Sequence, residues 1–322
     1  MKKKKKLRLK KQAYIFLAII VFLIVGIILG NNYYNGYKYK QTNEYKLTVK
    51  GYTLDESKDI INHLNDDETN DILARDKIND LTSLLNEKYF LYKNLDTYLT
   101  YREKESDYTL KEIVAIVNVH ANNKWYNIEL KTNESLNELM LVNKFYALAK
   151  DYTPKNLTNI GLDYSYGTEG ENKLIDYAYE AFQELWDAAY KKGYYLMVTS
   201  SYRDYASQEE IYNYRKTTQG ERKADETAAR PGHSEHQTGL VVDMTSKTEP
   251  DAESFTESKA YAWLKENAYK YGYIERYPEG KTYITGYSPE SWHWRYVGRE
   301  AAKVMRDEDI TYDEYYAYYI EK

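Results

Sequence analysis

Residues 232–244 have the sequence GHSEHQTGLVVDM, and the second half of this stretch is predicted to be a strand. Because side chains alternate along a strand, Val242 and Met244 lie on one face and Asp243 lies on the other. A carboxylate within so apolar a segment is unfavourable unless it is paired with a cation or bound to a metal ion. Asp243 is therefore a candidate functional residue.

Two histidines are in a similar position. His236 precedes Asp243 by seven residues, across a glycine that lets the chain fold back onto the strand. His293 stands between two tryptophans in the sequence ESWHWRY at residues 290–296, which is predicted to contain the last strand. Two imidazoles and one carboxylate form the ligand set of a catalytic zinc ion, which keeps its fourth position for water. Glu290 is suitably placed to act as a base on that water.

Spacing alone leaves a second interpretation open. In it, His236 and His293 are polar loop residues and Asp243 is a buried turn residue. The zinc-binding helix motif His-Glu-x-x-His is absent from the chain, which excludes a thermolysin-like enzyme.

The order of the motifs along the chain is more specific. The sequence SSYR at residues 200–203 and Gln208 precede the pattern S-x-H-x-x-G-x-x-x-D at residues 234–243, and E-x-W-H follows at residues 290–293. This order resembles the VanY and LdcB D-alanyl-D-alanine carboxypeptidase family, part of the LAS group of peptidases (lysostaphin, D-Ala-D-Ala peptidases, sonic hedgehog). The resemblance covers residues 140–322 approximately.

The resemblance implies a fold and a set of metal ligands. It implies an α+β zinc peptidase domain with a small antiparallel sheet flanked by helices, which agrees with the mixed pattern of helices and short strands. It also implies that His236, Asp243 and His293 bind Zn²⁺ and that Glu290 is the general base.

Three further residues are candidates for contacts with the substrate. A carboxypeptidase must bind a free terminal carboxylate, and the guanidinium of Arg203 can do so with two parallel hydrogen bonds and can also stabilise the developing oxyanion. The alternative for Arg203 is a surface salt bridge. Ser234 and Gln208 could form hydrogen bonds to the substrate backbone, and their alternative is a structural role such as helix capping.

The expected activity is hydrolysis of the terminal D-alanine of peptidoglycan stem peptides. An L,D-carboxypeptidase and a peptidoglycan endopeptidase could use the same residues, and the sequence does not separate them. A non-catalytic cell-wall-binding protein is a third alternative, although such a protein would have no use for the base Glu290.

The distribution of charge excludes one class of partner. The net charge of the chain is −5, and residues 1–12 contain eight basic residues without an acid; removing these leaves −13 for the rest. A globular part this acidic is unsuited to nucleic acid, which requires a basic surface. The chain has no cysteine, so disulfides and thiolate chemistry are excluded.

The N-terminal region predicts a membrane anchor. Residues 13–30 are uncharged and apolar, and eighteen helical residues span about 27 Å, close to the hydrocarbon core of a bilayer. The basic residues 1–12 predict a cytoplasmic tail, so the chain would be a single-pass cell-membrane protein with its catalytic domain outside. A cleaved signal peptide is the competing interpretation.

The remaining chain is divided by its pattern into three parts. Residues 31–45 are polar and tyrosine-rich and are predicted to be a tether. Residues 46–150 are predicted to be a mostly helical spacer module, with a capping box formed by Thr53 and Glu56 and a strand at 113–119. Residues 151–322 are predicted to be the carboxypeptidase domain.

Overall fold

The computed structural model describes residues 2–321, with side chains from residue 10 onward. The chain forms two compact units, Met1–Tyr92 and Lys93–Lys322. The side chains of residues 1–9, which are most of the predicted basic tail at residues 1–12, therefore lie outside the described part of the chain.

The first unit is helical throughout its described elements. These are α1 (Lys2–Lys40), α2 (Asn43–Val49), α3 (Leu54–His63), α4 (Asp66–Ala74) and α5 (Leu81–Leu85). Helix α3 begins with the predicted capping box: the Thr53 hydroxyl accepts a hydrogen bond from the Glu56 amide, and the Glu56 carboxylate accepts one from the Thr53 amide. This prediction is confirmed.

Helix α1 is the one helix among the described residues that is long and apolar enough to cross a membrane. Its large apolar side chains between Tyr14 and Leu29 are exposed, as a membrane-facing surface requires. The helix continues to Lys40 and includes most of the segment predicted to be a tether, because extending an existing helix avoids the cost of nucleation. A signal sequence near the N-terminus can also be long and apolar enough to meet this criterion.

The second unit mixes helices with short strands. Its helices are α6 (Leu95–Lys104), α7 (Leu110–Asn118), α8 (Asp176–Tyr190), α9 (Tyr205–Gln219), α10 (Glu221–Thr227), α11 (Ala252–Thr256), α12 (Lys259–Asn267), α13 (Thr282–Thr285), α14 (Arg299–Glu308) and α15 (Tyr312–Tyr315). Its strands are β1 (Leu130–Lys131), β2 (Tyr146–Ala147), β3 (Leu157–Asn159), β4 (Lys173–Ile175), β5 (Leu196–Ser200), β6 (Val241–Ser246), β7 (Tyr273–Glu275) and β8 (His293–Tyr296).

Four of these strands form a central antiparallel sheet in the order β5-β6-β8-β7. Helix α8 packs against one face of the sheet through Phe182 and Leu185, which join Val242, Met244 and Trp294 in the main hydrophobic core. Fully burying side chains of this size contributes roughly 1.5–3 kcal/mol each. The α+β class, with a small antiparallel sheet flanked by helices, is confirmed, and the opposite face of the sheet is left for polar residues.

The strand predicted at residues 113–119 is wrong, because this segment lies in helix α7. A capping box between Thr109 and Glu112 opens the helix. Ile113, Ile116 and Val117 are all buried. A short apolar run buried on several sides has no clear period, so the capping residues rather than the β-branched composition determine the local structure here.

Residues 93–150, assigned above to the spacer, lie in the same compact unit as the predicted carboxypeptidase domain. The Asn143 amide donates a hydrogen bond of 2.8 Å to Asp313, and the Arg295 guanidinium donates to the carbonyls of Glu138 and Met140, each at 2.9 Å. All of these groups are distant in sequence, so the apolar pattern could not reveal the contacts. The division of the chain at residue 150 remains a prediction.

Candidate active site

Two of the candidate metal ligands lie beside each other on neighbouring strands of the central sheet. Strands β6 and β8 pair with Asp243 directly opposite His293. Their neighbours Val242 and Trp294 point into the core on the other face, as the alternation predicts. The Asp243 Oδ1 atom lies 3.2 Å from His293 Nδ1.

His236 reaches the same point from the short helical turn Glu235–Thr238. The turn ends at Gly239, whose φ of 69° is in the left-handed region, and a Cβ there would lie 2.9 Å from a Leu157 side-chain carbon. Glycine therefore lets the chain turn directly into β6. The His236 Nε2 atom lies 3.3 Å from Asp243 Oδ2.

The three side chains fit a zinc ion. One ligand atom from each of His236, Asp243 and His293 lies within 4.8 Å of the others. Ligand bonds of 2.0–2.2 Å in a tetrahedral site place ligand atoms about 3.4 Å apart, which is compatible with that limit. The Asp243 Oδ1 atom is buried and has no hydrogen-bond donor among the described residues. A cation at this point would satisfy it.

A backbone carbonyl fixes the tautomer of His236. Its Nδ1 atom lies 2.6 Å from the carbonyl oxygen of Ser201, which can only accept a hydrogen bond. The proton is therefore on Nδ1, and the lone pair of Nε2 points towards Asp243. Burial lowers the pKa of His236, which favours the neutral form that binds metals.

Glu290 lies beside the proposed ligands on the loop before β8. Its Oε2 atom is 3.6 Å from His293 Nδ1, and its backbone amide donates to the Tyr277 carbonyl at 3.0 Å. Burial raises the pKa of Glu290 to about 7, against the opposing effect of His293. A carboxylate with this proton affinity suits a general base near neutral pH.

Arg203 lies three residues beyond the end of β5, and its backbone amide donates to the His236 carbonyl at 3.2 Å. Its side-chain Nε is buried without a hydrogen-bond acceptor among the described residues. Since a guanidinium normally has its donors satisfied, this one is available to an anionic ligand. Burial lowers the pKa of Arg203, partly offset by the charges of Asp243 and Glu290.

The two remaining candidates line the same cavity and are buried. Gln208, in the first turn of α9, donates to the Ala229 carbonyl at 2.8 Å, and its Oε1 atom is buried without a donor. Ser234 precedes the turn that contains His236. All seven sequence-predicted residues therefore border one cavity of about 150 Å³. Its lining residues are Arg203, Gln208, Ile211, Arg215, Thr227, Ala228, Ala229, Ser234, Glu235, His236, Asp243, Tyr277, Tyr287, Glu290, Trp292 and His293.

The sequence analysis missed several of these residues. Arg215 on α9 brings a second guanidinium to the cavity, and Tyr277 and Tyr287 form part of its wall. The spacing of seven residues between Gln208 and Arg215 places both on one face of α9 and could have indicated the first, whereas nothing distinguishes these two tyrosines among 39 in the chain. Glu235 also lines the cavity, between the motif positions Ser234 and His236.

We expect the full-length protein, purified in detergent without chelator, to contain about one zinc ion per chain by elemental analysis. His236→Ala should lose both zinc and activity, because it removes one of three protein ligands. His63→Ala, which changes a half-exposed histidine of the first unit, is the matched control and should retain zinc. A metal-free protein that is folded and active would contradict this expectation.

Comparisons with known proteins agree with this geometry. The family described as VanY, D-alanyl-D-alanine carboxypeptidase, matches residues 171–299. YodJ of Bacillus subtilis (strain 168), described as a candidate carboxypeptidase, is 44% identical over 183 residues, which cover 56% of this chain and 67% of YodJ. A D-alanyl-D-alanine carboxypeptidase of Enterococcus faecalis (strain ATCC 700802 / V583) is 41% identical over 142 residues, 41% of this chain and 52% of that protein.

A solved carboxypeptidase structure also aligns with this chain. The LdcB LD-carboxypeptidase, whose structure was described for its recognition of peptidoglycan, aligns with a TM-score of 0.57 and 40% sequence identity. The alignment covers 61% of this chain and 94% of that structure. The chain therefore belongs to the VanY family of D-alanyl-D-alanine carboxypeptidases, and it is a zinc carboxypeptidase.

Proposed function

We propose that the protein is a D-Ala-D-Ala carboxypeptidase, which removes the terminal D-alanine from peptidoglycan stem peptides that end in D-Ala-D-Ala. The observation that supports this most is the meeting of a metal-ligand set, a buried carboxylate and a buried guanidinium with a free donor in one small cavity. The buried guanidinium of Arg203, with its free Nε–H, offers a binding partner to a terminal carboxylate, which favours cleavage at a chain end over cleavage within a cross-link.

We assign the roles as follows. His236, Asp243 and His293 hold zinc, which when bound supplies a Lewis acid and lowers the pKa of its water. Glu290 takes the proton of the attacking water and delivers it to the amine of the leaving D-alanine.

We assign substrate binding to three further residues that line the cavity. Arg203 binds the terminal carboxylate, or the oxygen that becomes negative during the reaction, through its unpaired Nε–H. Gln208 has a free amide oxygen that can accept a hydrogen bond from the peptide N–H. Ser234 offers a hydroxyl to the same substrate segment.

A second candidate is L,D-carboxypeptidase activity on a shorter stem peptide, which the similarity to the LdcB structure favours. Both activities release D-alanine, and they differ in the residue that precedes the scissile bond. Measuring D-alanine release from synthetic pentapeptide and tetrapeptide stems separates them. Release from the pentapeptide supports the first proposal, release from the tetrapeptide alone supports the second, and release from neither opposes both.

We further propose that α1 anchors the chain in the cell membrane with the catalytic unit outside. The apolar side chains of α1 support anchoring, and the basic residues at its start favour a cytoplasmic N-terminus. Protease added to intact protoplasts should then digest residues 93–322. Protection of this part would reverse the orientation, and a mature chain that begins after residue 30 would indicate a cleaved signal peptide.

A further inference from the structure

A fully buried carboxylate lies behind one of the proposed zinc ligands. Glu235 Oε2 is 3.3 Å from His293 Nε2, on the side of the ring opposite to the metal-facing Nδ1. Both side chains are almost inaccessible to solvent. A carboxylate can only accept, so the geometry places the imidazole proton on Nε2 and leaves the Nδ1 lone pair facing Asp243.

Two buried arginines hold this carboxylate from its other side. Glu235 Oε1 accepts a hydrogen bond from Arg276 Nε at 2.8 Å and another from Arg295 Nη1 at 3.2 Å. Both guanidinium groups are fully buried. Arg295 also donates to the backbone carbonyls of Glu138, Met140 and Tyr296. Glu235 therefore cannot turn away from His293 without breaking charge-assisted hydrogen bonds in a dry environment.

The network continues to the C-terminal helix. Arg276 Nη1 and Nη2 donate to the two oxygens of Asp313 on α15, at 2.6 and 3.1 Å. Asp313 is 2% exposed, and Asn143 also donates to it. The network therefore contains two buried carboxylates, Glu235 and Asp313, and two buried guanidinium groups, Arg276 and Arg295. Their formal charges balance.

We propose that Glu235 is a positioning residue for the metal ligand His293, and that Arg276 and Asp313 hold Glu235 in that role. The C-terminal helix α15 is thereby coupled to the active site although it contributes no residue to the cavity. This inference rests on the assignment of His293 as a zinc ligand.

A purely stabilising role is the alternative. Buried ion-pair networks often add little to stability compared with apolar packing of the same volume, whereas a carboxylate behind a ligating histidine fixes its tautomer and ring orientation. The two roles make different predictions for metal binding. Substitution of a positioning residue changes the metal site itself, and substitution of a merely stabilising residue changes only the melting temperature.

The test uses full-length protein in detergent with Glu235→Gln, Asp313→Asn and the double variant. Asp307→Asn is the matched control, since Asp307 is an exposed acid of α14 that pairs with Lys303. Three measurements are made on each protein. They are the zinc dissociation constant by competition with a chromophoric chelator, the visible spectrum of the Co²⁺-substituted protein, and steady-state kinetics that give kcat and KM separately.

We expect Glu235→Gln to weaken zinc binding by about 10–100-fold, to shift the Co²⁺ bands, and to lower kcat more than it raises KM. Asp313→Asn should cause a smaller change in the same direction, because Glu235 remains. The double variant should resemble Glu235→Gln, since Asp313 acts through Glu235, and Asp307→Asn should match the wild type.

Wild-type zinc affinity and Co²⁺ spectrum in Glu235→Gln and Asp313→Asn, with only a lower melting temperature, would overturn the proposal. If Glu235→Gln does not fold, Asp313→Asn decides: an unchanged Co²⁺ spectrum and zinc affinity overturn it. Failure of the wild type itself to bind zinc would instead oppose the proposed function, so the two failures are distinguishable.

Discussion

Glu290→Ala is expected to lower kcat/KM by about 10²–10⁴-fold while the purified protein keeps its zinc. Glu290 lies beside the metal-ligand set, but we assign it proton transfer and not metal binding. Removing it should therefore eliminate the base without emptying the site. Steady-state kinetics on a D-alanine-terminated peptide, with elemental analysis of the same sample, measures both quantities.

Two controls make this result specific. Glu290→Gln keeps the shape of the side chain but cannot take a proton, so it should lose about as much activity as Glu290→Ala. Glu279→Ala changes an exposed acid on the loop that follows β7 and should leave activity and zinc unchanged. Substantial remaining activity in Glu290→Ala would show that another residue is the base.

Arg203→Lys is expected to lower kcat/KM by about thirty-fold to a thousand-fold, which corresponds to roughly 2–4 kcal/mol. Lysine keeps the charge but cannot form the planar two-pronged contact of a guanidinium with a carboxylate. The wild-type enzyme should also discriminate between a peptide with a free terminal carboxylate and the same peptide with an amidated end. The measurement is kcat/KM on this matched pair of peptides for both proteins.

Arg222→Lys is the control, since the side chain of Arg222 is 90% exposed and pairs with Glu226 on the surface. It should behave as the wild type on both peptides. Equal cleavage of the acid and the amide by the wild-type enzyme would show that the terminal carboxylate is not recognised. That outcome would favour an endopeptidase over a carboxypeptidase.

Sequence reasoning predicted the parts of the fold that have a strong local pattern. The apolar stretch around Asp243 corresponds to β6, and the last strand predicted around His293 corresponds to β8. Strand β7, Tyr273–Glu275, was missed because three residues are too few to show a period. Its hydrogen bonds to β8 are a tertiary feature.

The candidate site was predicted from motifs, and its surroundings were not. The sequence places His236 and Asp243 seven residues apart, so a shared site could be proposed without a structure. Asp313 is seventy residues further along the chain than Asp243, and no pattern connects it with Glu235 through Arg276. Such contacts depend on how the C-terminal helix packs, which local sequence does not encode.

The most direct test of the account is mass spectrometry of isolated muropeptides after incubation with the zinc-loaded full-length protein. We predict that pentapeptide stems lose one terminal alanine residue, that cross-linked dimers remain intact, and that both a chelator and Glu290→Ala prevent the change. Unchanged stems in the presence of zinc, or cross-links cut while the terminal residues remain, would contradict it.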